Sequence, residues 1–134
     1  MEYIDDDDIP ELLVGWTKPL NYSSDICILK YIDGKVICNG PIGHYNCISF
    51  IPKKNVIEES ILYYGSDDHW YGFLDSDGVL STLCSSHQKV AEGELIDEPN
   101  CYIAEKEVSA EEYNAFVKSY NEELVGWSSN NGIT

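Results

Sequence analysis

Arginine is absent from this 134-residue sequence, and its eight lysines are outnumbered by 24 aspartates and glutamates. The formal net charge is −16 at pH 7. Nucleic acids and anionic membranes are bound by cationic surfaces, so direct binding of either is disfavoured. The missing guanidinium group also removes the usual bidentate clamp for phosphate, which argues against nucleotide and phosphorylated substrates.

The sequence also lacks a membrane-spanning apolar run, a basic signal-peptide start and a Cys-x-x-Cys pair. Its first residues are Met1 and Glu2, and the acidic run Asp5–Asp8 soon follows, which is the opposite of a signal peptide's basic start. The cysteines form an odd set that favours reduced thiols over a disulfide framework. They stand at positions 27, 38, 47, 84 and 101. We therefore expect a cytoplasmic protein in a reducing compartment.

The sequence does contain enough apolar surface to fold. Hydrophobic residues make up 43% of it and include ten tyrosines, which is more buriable surface than a disordered chain carries. The length fits one domain of ordinary size. The expectation is a single acidic domain over residues 1–134, with flexible ends at residues 1–7 and 128–134.

A short helix is predicted over residues 9–14. Asp8 and Glu11 have the spacing of a capping box, Pro10 falls in the first turn, and Gly15 can end the helix. The run Asp5–Asp7 would then lie just outside the positive end of this helix, which gives these acids a structural role.

The middle of the sequence has the pattern of antiparallel β-strands separated by turn residues. The strongest signal is a hairpin from Ile26 to Cys38 around Asp33-Gly34, because these two residues tolerate the backbone of a type I′ turn. Further strands are predicted by short apolar runs between turn-forming residues. They cover residues 45–51, 60–64, 69–74, 79–84, 88–96 and 101–108. A meander is the simplest connection between them.

A longer amphipathic helix is predicted after Ser109, which can cap its first turn together with Glu112. One apolar stripe recurs at steps of three and four residues and ends before Gly126. It consists of Tyr113, Phe116, Val117, Tyr120 and Leu124. The predicted fold class is therefore α+β, with an antiparallel sheet that carries a short N-terminal helix and a longer C-terminal helix.

Two patterns resemble metal sites. His44-x-x-Cys47 and Cys84-x-x-His87 have ligand types that suit tetrahedral zinc, but both cysteines stand at the ends of apparent strands rather than in tight turns. Residues 75–78 read Asp-Ser-Asp-Gly, like the opening of a calcium loop, but the distal ligands are missing and a hairpin turn explains them. We expect no metal and no cofactor.

One alternative is a thiol hydrolase with Cys47 as nucleophile and His69 as base. The run from His69 to Asp75, with Gly78-Val79-Leu80 after the turn, resembles the catalytic-histidine hairpin of papain-like amidases of the cell-wall peptidase class. The similarity is confined to this short segment. It implies a thiol amidase, although in that class a long helix follows the cysteine and here a strand pattern does.

The charge distribution gives the leading hypothesis. Residues 1–57 carry a net charge of −3 and residues 58–134 carry −13. Acids in the second half stand in close pairs, and ten of them are candidate contacts for a basic partner. These are Glu58, Glu59, Asp67, Asp68, Asp75, Asp77, Glu92, Glu94, Asp97 and Glu98.

The expected function is non-enzymatic. The protein would neutralise a basic protein such as a toxin, a nuclease or a nucleic-acid-binding protein, as immunity proteins, antitoxins and DNA-mimicking anti-defence inhibitors do. This is a likeness of type, since no stretch of the sequence aligns with those groups. An acidic accessory subunit without an inhibitory role is the other alternative.

Overall fold

Two antiparallel β-sheets and one helix form the fold in the computed structural model, which describes residues 1–17, 24–43, 47–63, 65–92, 94–95 and 97–128. The smaller sheet has the order β1-β2-β3. Its strands are β1 (Leu12–Thr17), β2 (Ser24–Ile32) and β3 (Lys35–Ile42). The predicted hairpin around Asp33-Gly34 is confirmed, since Ile32 pairs with Lys35 across the turn.

The larger sheet has the order β10-β9-β7-β6-β5-β4-β11, and β8 pairs with β7 outside this order. All of these pairings are antiparallel. The strands are β4 (Cys47–Ile51), β5 (Val56–Tyr63), β6 (Ser66–Leu74), β7 (Leu80–Ala91), β8 (Glu94–Leu95), β9 (Asn100–Ile103), β10 (Lys106–Val108) and β11 (Val125–Ser128). β9 and β10 are separated because Ala104 and Glu105 turn the chain with positive φ angles of 48° and 67°.

The α+β prediction is wrong, because strands make up 60% of the structure and helix only 13%. The short N-terminal helix does not form. Glu11 instead forms a β-bridge with Glu2, and β1 begins at the next residue, Leu12. The physical reason lies in alternation: Leu13 is buried while its neighbours Leu12 and Val14 are exposed, which is the pattern of a half-buried strand.

The predicted C-terminal helix is confirmed as α1 (Ala110–Glu123). The Ser109 side chain accepts a hydrogen bond from the Glu112 backbone N–H at 3.1 Å, as a capping residue should. Tyr113 and Val117 are buried, and the rest of the predicted stripe packs beside them. Gly126, expected to end the helix, lies instead within β11.

The large sheet is the middle of three layers. On one face, Ile48, Phe50 and Ile57 pack against Ile26 and Ile28 of the small sheet. The opposite face of the large sheet carries α1. There the buried strand residues Ile51, Val56, Tyr71, Cys84 and Cys101 pack against Tyr113 and Val117. Because side chains of a strand alternate between faces, neighbouring residues of β5 and β6 contribute to different layers.

No helix within the described residues is both long and apolar enough to cross a membrane. The predicted flexible tail falls almost wholly outside the described residues, which end at Ser128. At the other end, Ile4 is fully buried and its backbone N–H donates to the Glu11 carboxylate at 2.8 Å.

Candidate functional site

The paired acids do not form one continuous face. Glu58 lies on the α1 side of the large sheet and is nearly buried, whereas Glu59 lies on the opposite side and accepts a hydrogen bond from the Gly43 backbone. Asp67 and Asp68 are separated in the same way, because they are consecutive residues of β6. A pair of acids in a strand therefore presents one carboxylate to each face.

Six of the ten candidate acids meet at one end of the large sheet, which we name the acidic end. Asp67 and Asp68 lie beside the last residues of β7, where Ser66 pairs with Lys89. The segment after β7 folds back here, since the Gln88 side chain donates to the Asp97 backbone carbonyl at 2.6 Å. The members are Asp67, Asp68, Glu92, Glu94, Asp97 and Glu98, of which the last four are exposed.

Asp75 and Asp77 lie at the opposite end, in the β6–β7 turn. The Asp75 carboxylate accepts the backbone N–H groups of Asp77 and Val79 at 2.9 and 3.0 Å. These bonds, that of Val79 first, lower the pKa of Asp75 against a smaller opposing effect of burial. The segment that resembled a calcium loop is a hairpin turn held by its own carboxylate.

The N-terminal acids surround a buried lysine. Lys30 Nζ lies 2.5 Å from Asp5 Oδ2, 2.5 Å from Asp7 Oδ2 and 3.0 Å from Glu11 Oε1. Burial would lower the pKa of Lys30, but the hydrogen bonds to the three carboxylates outweigh it and raise that pKa above its usual range. The expected role of Asp5–Asp7 at a helix end is wrong. Three carboxylates close enough to share a cation hold the ammonium of Lys30 instead.

A chain of polar side chains crosses β5 and β6 on the α1 side. The Ser60 hydroxyl donates to Glu58 and lies 3.0 Å from His69 Nδ1, while His69 Nε2 lies 3.1 Å from Asp67 Oδ1. The register produces this arrangement, because Ser60 pairs with His69 across the two strands. The imidazole is thus fixed between a carboxylate on one side and a hydroxyl bonded to a second carboxylate on the other.

The order serine, histidine, aspartate is that of a hydrolytic triad, but the hydrogen bonding differs. In a triad the serine proton points to the base. Here the Ser60 hydroxyl donates to Glu58. His69 also meets the serine through Nδ1 and the carboxylate through Nε2, the reverse of the usual arrangement. The chain is better suited to holding charge in place than to activating a nucleophile.

Beside this chain lies a cavity of about 230 Å³ between the large sheet and α1, which we name the helix cavity. Asp67, His69 and Ser86 line it from the sheet, and Tyr113, Asn114 and Asn121 line it from the helix. Tyr71 donates its hydroxyl hydrogen to Asn121 Oδ1 at its margin. Burial raises the pKa of Tyr71 to about 12, and the charge of Glu58 adds to this shift.

Tyr113 lines the helix cavity and carries a buried hydroxyl. The residue is 5% exposed, and within the described residues its hydroxyl oxygen has no hydrogen-bond partner of normal geometry. Burial raises the pKa of Tyr113, and the nearby Ser86 hydroxyl opposes this only in part. Sequence reasoning placed Tyr113 in the core and did not identify Ser60, Tyr113 or Asn121 as site residues.

The structure does not bring together the residues of the proposed Cys47–His69 dyad or of the proposed Cys84–His87 zinc-ligand pair. Cys47 lies on β4 and His69 on β6, with β5 between them. Cys84 is buried beneath α1, whereas His87 lies on the other face of the sheet, bonded to Asp68. These two cannot share a metal ion, and His44 lies outside the described residues. Burial raises the pKa of Cys84 to about 12, so this thiol stays protonated at neutral pH.

The described site thus offers carboxylates, amides and hydroxyls around a small cavity, with an exposed acidic end beside it. Its chemistry suits recognition of positive charge and of hydrogen-bond donors. No protein family model, curated protein or solved structure matches the chain.

Proposed function

We propose that this protein binds a basic protein partner through its acidic end and neutralises it, in the way that immunity proteins and anti-defence inhibitors act. The observation that carries the proposal is the convergence of six carboxylates on one end of the large sheet. Among the described residues there, Lys89 is the one lysine, and its ammonium lies 3.9 Å from Asp97 Oδ2. Asp67 and Asp68 contact His69 and His87, so within the described residues Glu92, Glu94 and Glu98 are the members of the acidic end for which no ion pair is found.

Such an end suits electrostatic recognition better than the sequence pairs alone suggested. Carboxylates that are exposed and close together produce a field that extends about one Debye length, roughly 8 Å at physiological ionic strength. A partner cleft lined by lysine and arginine, of the kind that binds nucleic acid or an acidic substrate, complements this field. Occupation of that cleft by the acidic end would block the partner's own ligand.

The proposal includes a cytoplasmic location. It is supported by the thiols of Cys38, Cys84 and Cys101, which are free in the structure and would persist best in a reducing compartment. An acidic accessory subunit would bind a basic partner in the same way but would not inhibit it. No observation favours the Cys47–His69 hydrolase, because a strand separates the two residues.

The test is quantitative capture of basic proteins by two charge variants of equal net charge. One variant, E92Q/E94Q/D97N/E98Q, neutralises four exposed acids of the acidic end. The matched control, E105Q/E107Q/E122Q/E123Q, neutralises four exposed acids elsewhere. We expect a captured basic protein to be lost by the first variant and retained by the control, and its own activity to fall when the wild-type protein is added.

Equal loss of capture in both variants would mean that net charge alone is responsible, and would overturn the proposed site. Capture retained by both variants would show that the acidic end is not needed for binding the partner. Capture without any effect on the partner's activity would favour the accessory subunit.

A further inference from the structure

We infer that the helix cavity is a binding site for one ammonium or guanidinium group. The group could come from a lysine or arginine side chain of the proposed basic partner, in which case the inference rests on the proposed function, or from a free small amine. The site is separate from the exposed carboxylates of the acidic end, although Asp67 belongs to both.

The first argument is charge. Asp67 lines the helix cavity, and Glu58, 8% exposed and outside the cavity lining, is linked to Asp67 through Ser60 and His69. Among the described lysines, none lines the cavity and none forms an ion pair with either carboxylate. His69 can balance at most one of the two charges. A bound cation would balance the other, whereas a bound anion would add to the repulsion.

The second argument is the buried hydroxyl of Tyr113. This hydroxyl is shielded from water and has no hydrogen-bond partner of normal geometry among the described residues, which is energetically unfavourable unless a ligand completes its hydrogen bonding. The Tyr113 oxygen can accept a hydrogen bond from an N–H group placed in the cavity. This observation does not involve the acidic residues, so it supports a bound ligand independently of the charge argument.

The third argument is the supply of further acceptors. Asn114 directly follows Tyr113 in α1 and Asn121 lies about two turns further on, and both line the cavity. The Asn121 side-chain oxygen accepts the Tyr71 hydroxyl and keeps a second lone pair. Ammonium and guanidinium groups carry three and five N–H donors and no acceptor, so they match a lining of carboxylate, amide and hydroxyl oxygens.

Size restricts the ligand further. A volume of about 230 Å³ is below the roughly 300–1,000 Å³ of sites that enclose drug-sized molecules. It admits the end of one long side chain or a small amine. The polar chain from Glu58 to Asp67 then acts as a positioning device, because it fixes the His69 ring and the Asp67 carboxylate at the cavity wall.

The test is an NMR titration of the ¹⁵N-labelled full chain with blocked amino acids. The probes are N-acetyl-arginine methylamide and N-acetyl-lysine methylamide, with n-butylammonium as the free amine. The neutral controls are the corresponding citrulline and norleucine compounds, which have similar shapes without the charge. We expect saturable shifts at Asp67, His69, Tyr113 and Asn114 with the cationic probes and none with the neutral ones.

Two variants locate the site. Asp67→Asn should weaken binding at least about tenfold, since it removes the charge that pairs with the ligand. Tyr113→Phe removes only the hydroxyl and should weaken binding by a smaller factor. Asp33→Asn is the matched control, because it makes the same change at an exposed residue in the turn between β2 and β3 of the small sheet, away from the helix cavity, and it should leave binding unchanged.

Equal binding of the arginine and citrulline probes would overturn the inference, and so would unchanged affinity in both Asp67→Asn and Tyr113→Phe. If Asp67→Asn fails to fold, Tyr113→Phe and the neutral probes still decide the question. Preference for the blocked amino acids over n-butylammonium would indicate a partner side chain, and the reverse a free amine. The probes bind without a protein partner, so the two proposals can fail separately. The probes can fail to bind while the acidic end still captures a partner, or the probes can bind while capture fails.

Discussion

Lys30 Nζ lies 3.0 Å from Glu11 Oε1, and both side chains are almost wholly shielded from solvent. The contact joins the N-terminal segment to the second strand of the small sheet, 19 residues further along the chain. Glu11 uses its other oxygen to accept the Ile4 N–H. This buried carboxylate therefore ties the N-terminal segment at Ile4 to β2 at Lys30.

Loss of this lysine should be strongly destabilising. Lys30→Met leaves Glu11 buried without its cation, and removal of one partner of a buried ion pair costs about 3–5 kcal/mol. Urea unfolding should report this as a lower free energy of unfolding. The double variant Lys30→Met with Glu11→Gln should recover part of the loss. Lys89→Met, which removes an exposed lysine, should change stability by less than about 1 kcal/mol, and an equal effect of both single variants would contradict the assignment.

Acid should weaken the same cluster. Burial would raise the pKa of Asp7, but the hydrogen bonds from Lys30 and the Ile9 backbone outweigh it and lower that pKa below 3.8. A carboxyl with a lowered pKa in the folded state contributes stability above its unfolded pKa and loses it as pH falls through the folded value. Stability should therefore decline below about pH 4.

The alkaline side behaves in the opposite way. The pKa of Lys30 is raised in the folded state from its ordinary value of 10.5, so the contribution of Lys30 to folding stability is complete below pH 10.5 and is lost only at higher pH.

Thermal melts at several pH values test the acid dependence. The loss of stability at low pH should be smaller in Lys30→Met than in the wild type. An identical acid dependence in both proteins would show that other carboxylates cause it.

The wrong N-terminal helix shows why local sequence signals can mislead. Asp8, Pro10 and Glu11 have helix-start spacing, but Glu11 is captured by Lys30 from a distant strand, and no local pattern reports such a contact. The start of α1 at Ser109 was predicted correctly, because its capping hydrogen bond joins Ser109 to Glu112, only three residues away. Asp67 and Asp68 lie on opposite faces because both belong to β6, and the face that each of them takes follows only from the register of that strand in the sheet.

The same reasoning explains what the sequence could and could not predict about the site. Asp67 and His69 were each identified, because acidic residues and histidines are visible by type. Ser60 and Asn121 meet them only through the register of β5 with β6 and the placement of α1 on the sheet. Tyr113 was expected in the core, and nothing in the sequence indicates that its hydroxyl would lack a partner.

The cysteines should differ sharply in reactivity. Cys38 is exposed, whereas Cys84 and Cys101 are about 1% exposed and burial raises the pKa of both thiols. Because the thiolate is the reactive species, iodoacetamide at pH 8 should modify Cys38 and spare the other two. Peptide mass spectrometry with and without urea would measure this. Fast modification of Cys84 in the native protein would contradict its position beneath α1.

Association with the basic partner should be electrostatically steered. Because the carboxylates of the acidic end are mostly exposed, their attraction acts at long range and is screened by salt. Stopped-flow measurements should show the association rate constant falling by roughly tenfold or more as ionic strength rises from about 0.01 M to about 1 M. The dissociation rate constant should change much less.

The two charge variants then separate local from global effects. E92Q/E94Q/D97N/E98Q should slow association and flatten its salt dependence, while E105Q/E107Q/E122Q/E123Q should retain most of both. An acid that is buried against a partner arginine should instead raise the dissociation rate constant, at a cost of about 2–5 kcal/mol. A rate that is insensitive to salt and to both sets of substitutions would mean that the acidic end serves solubility alone, and the proposed function would lose its main support.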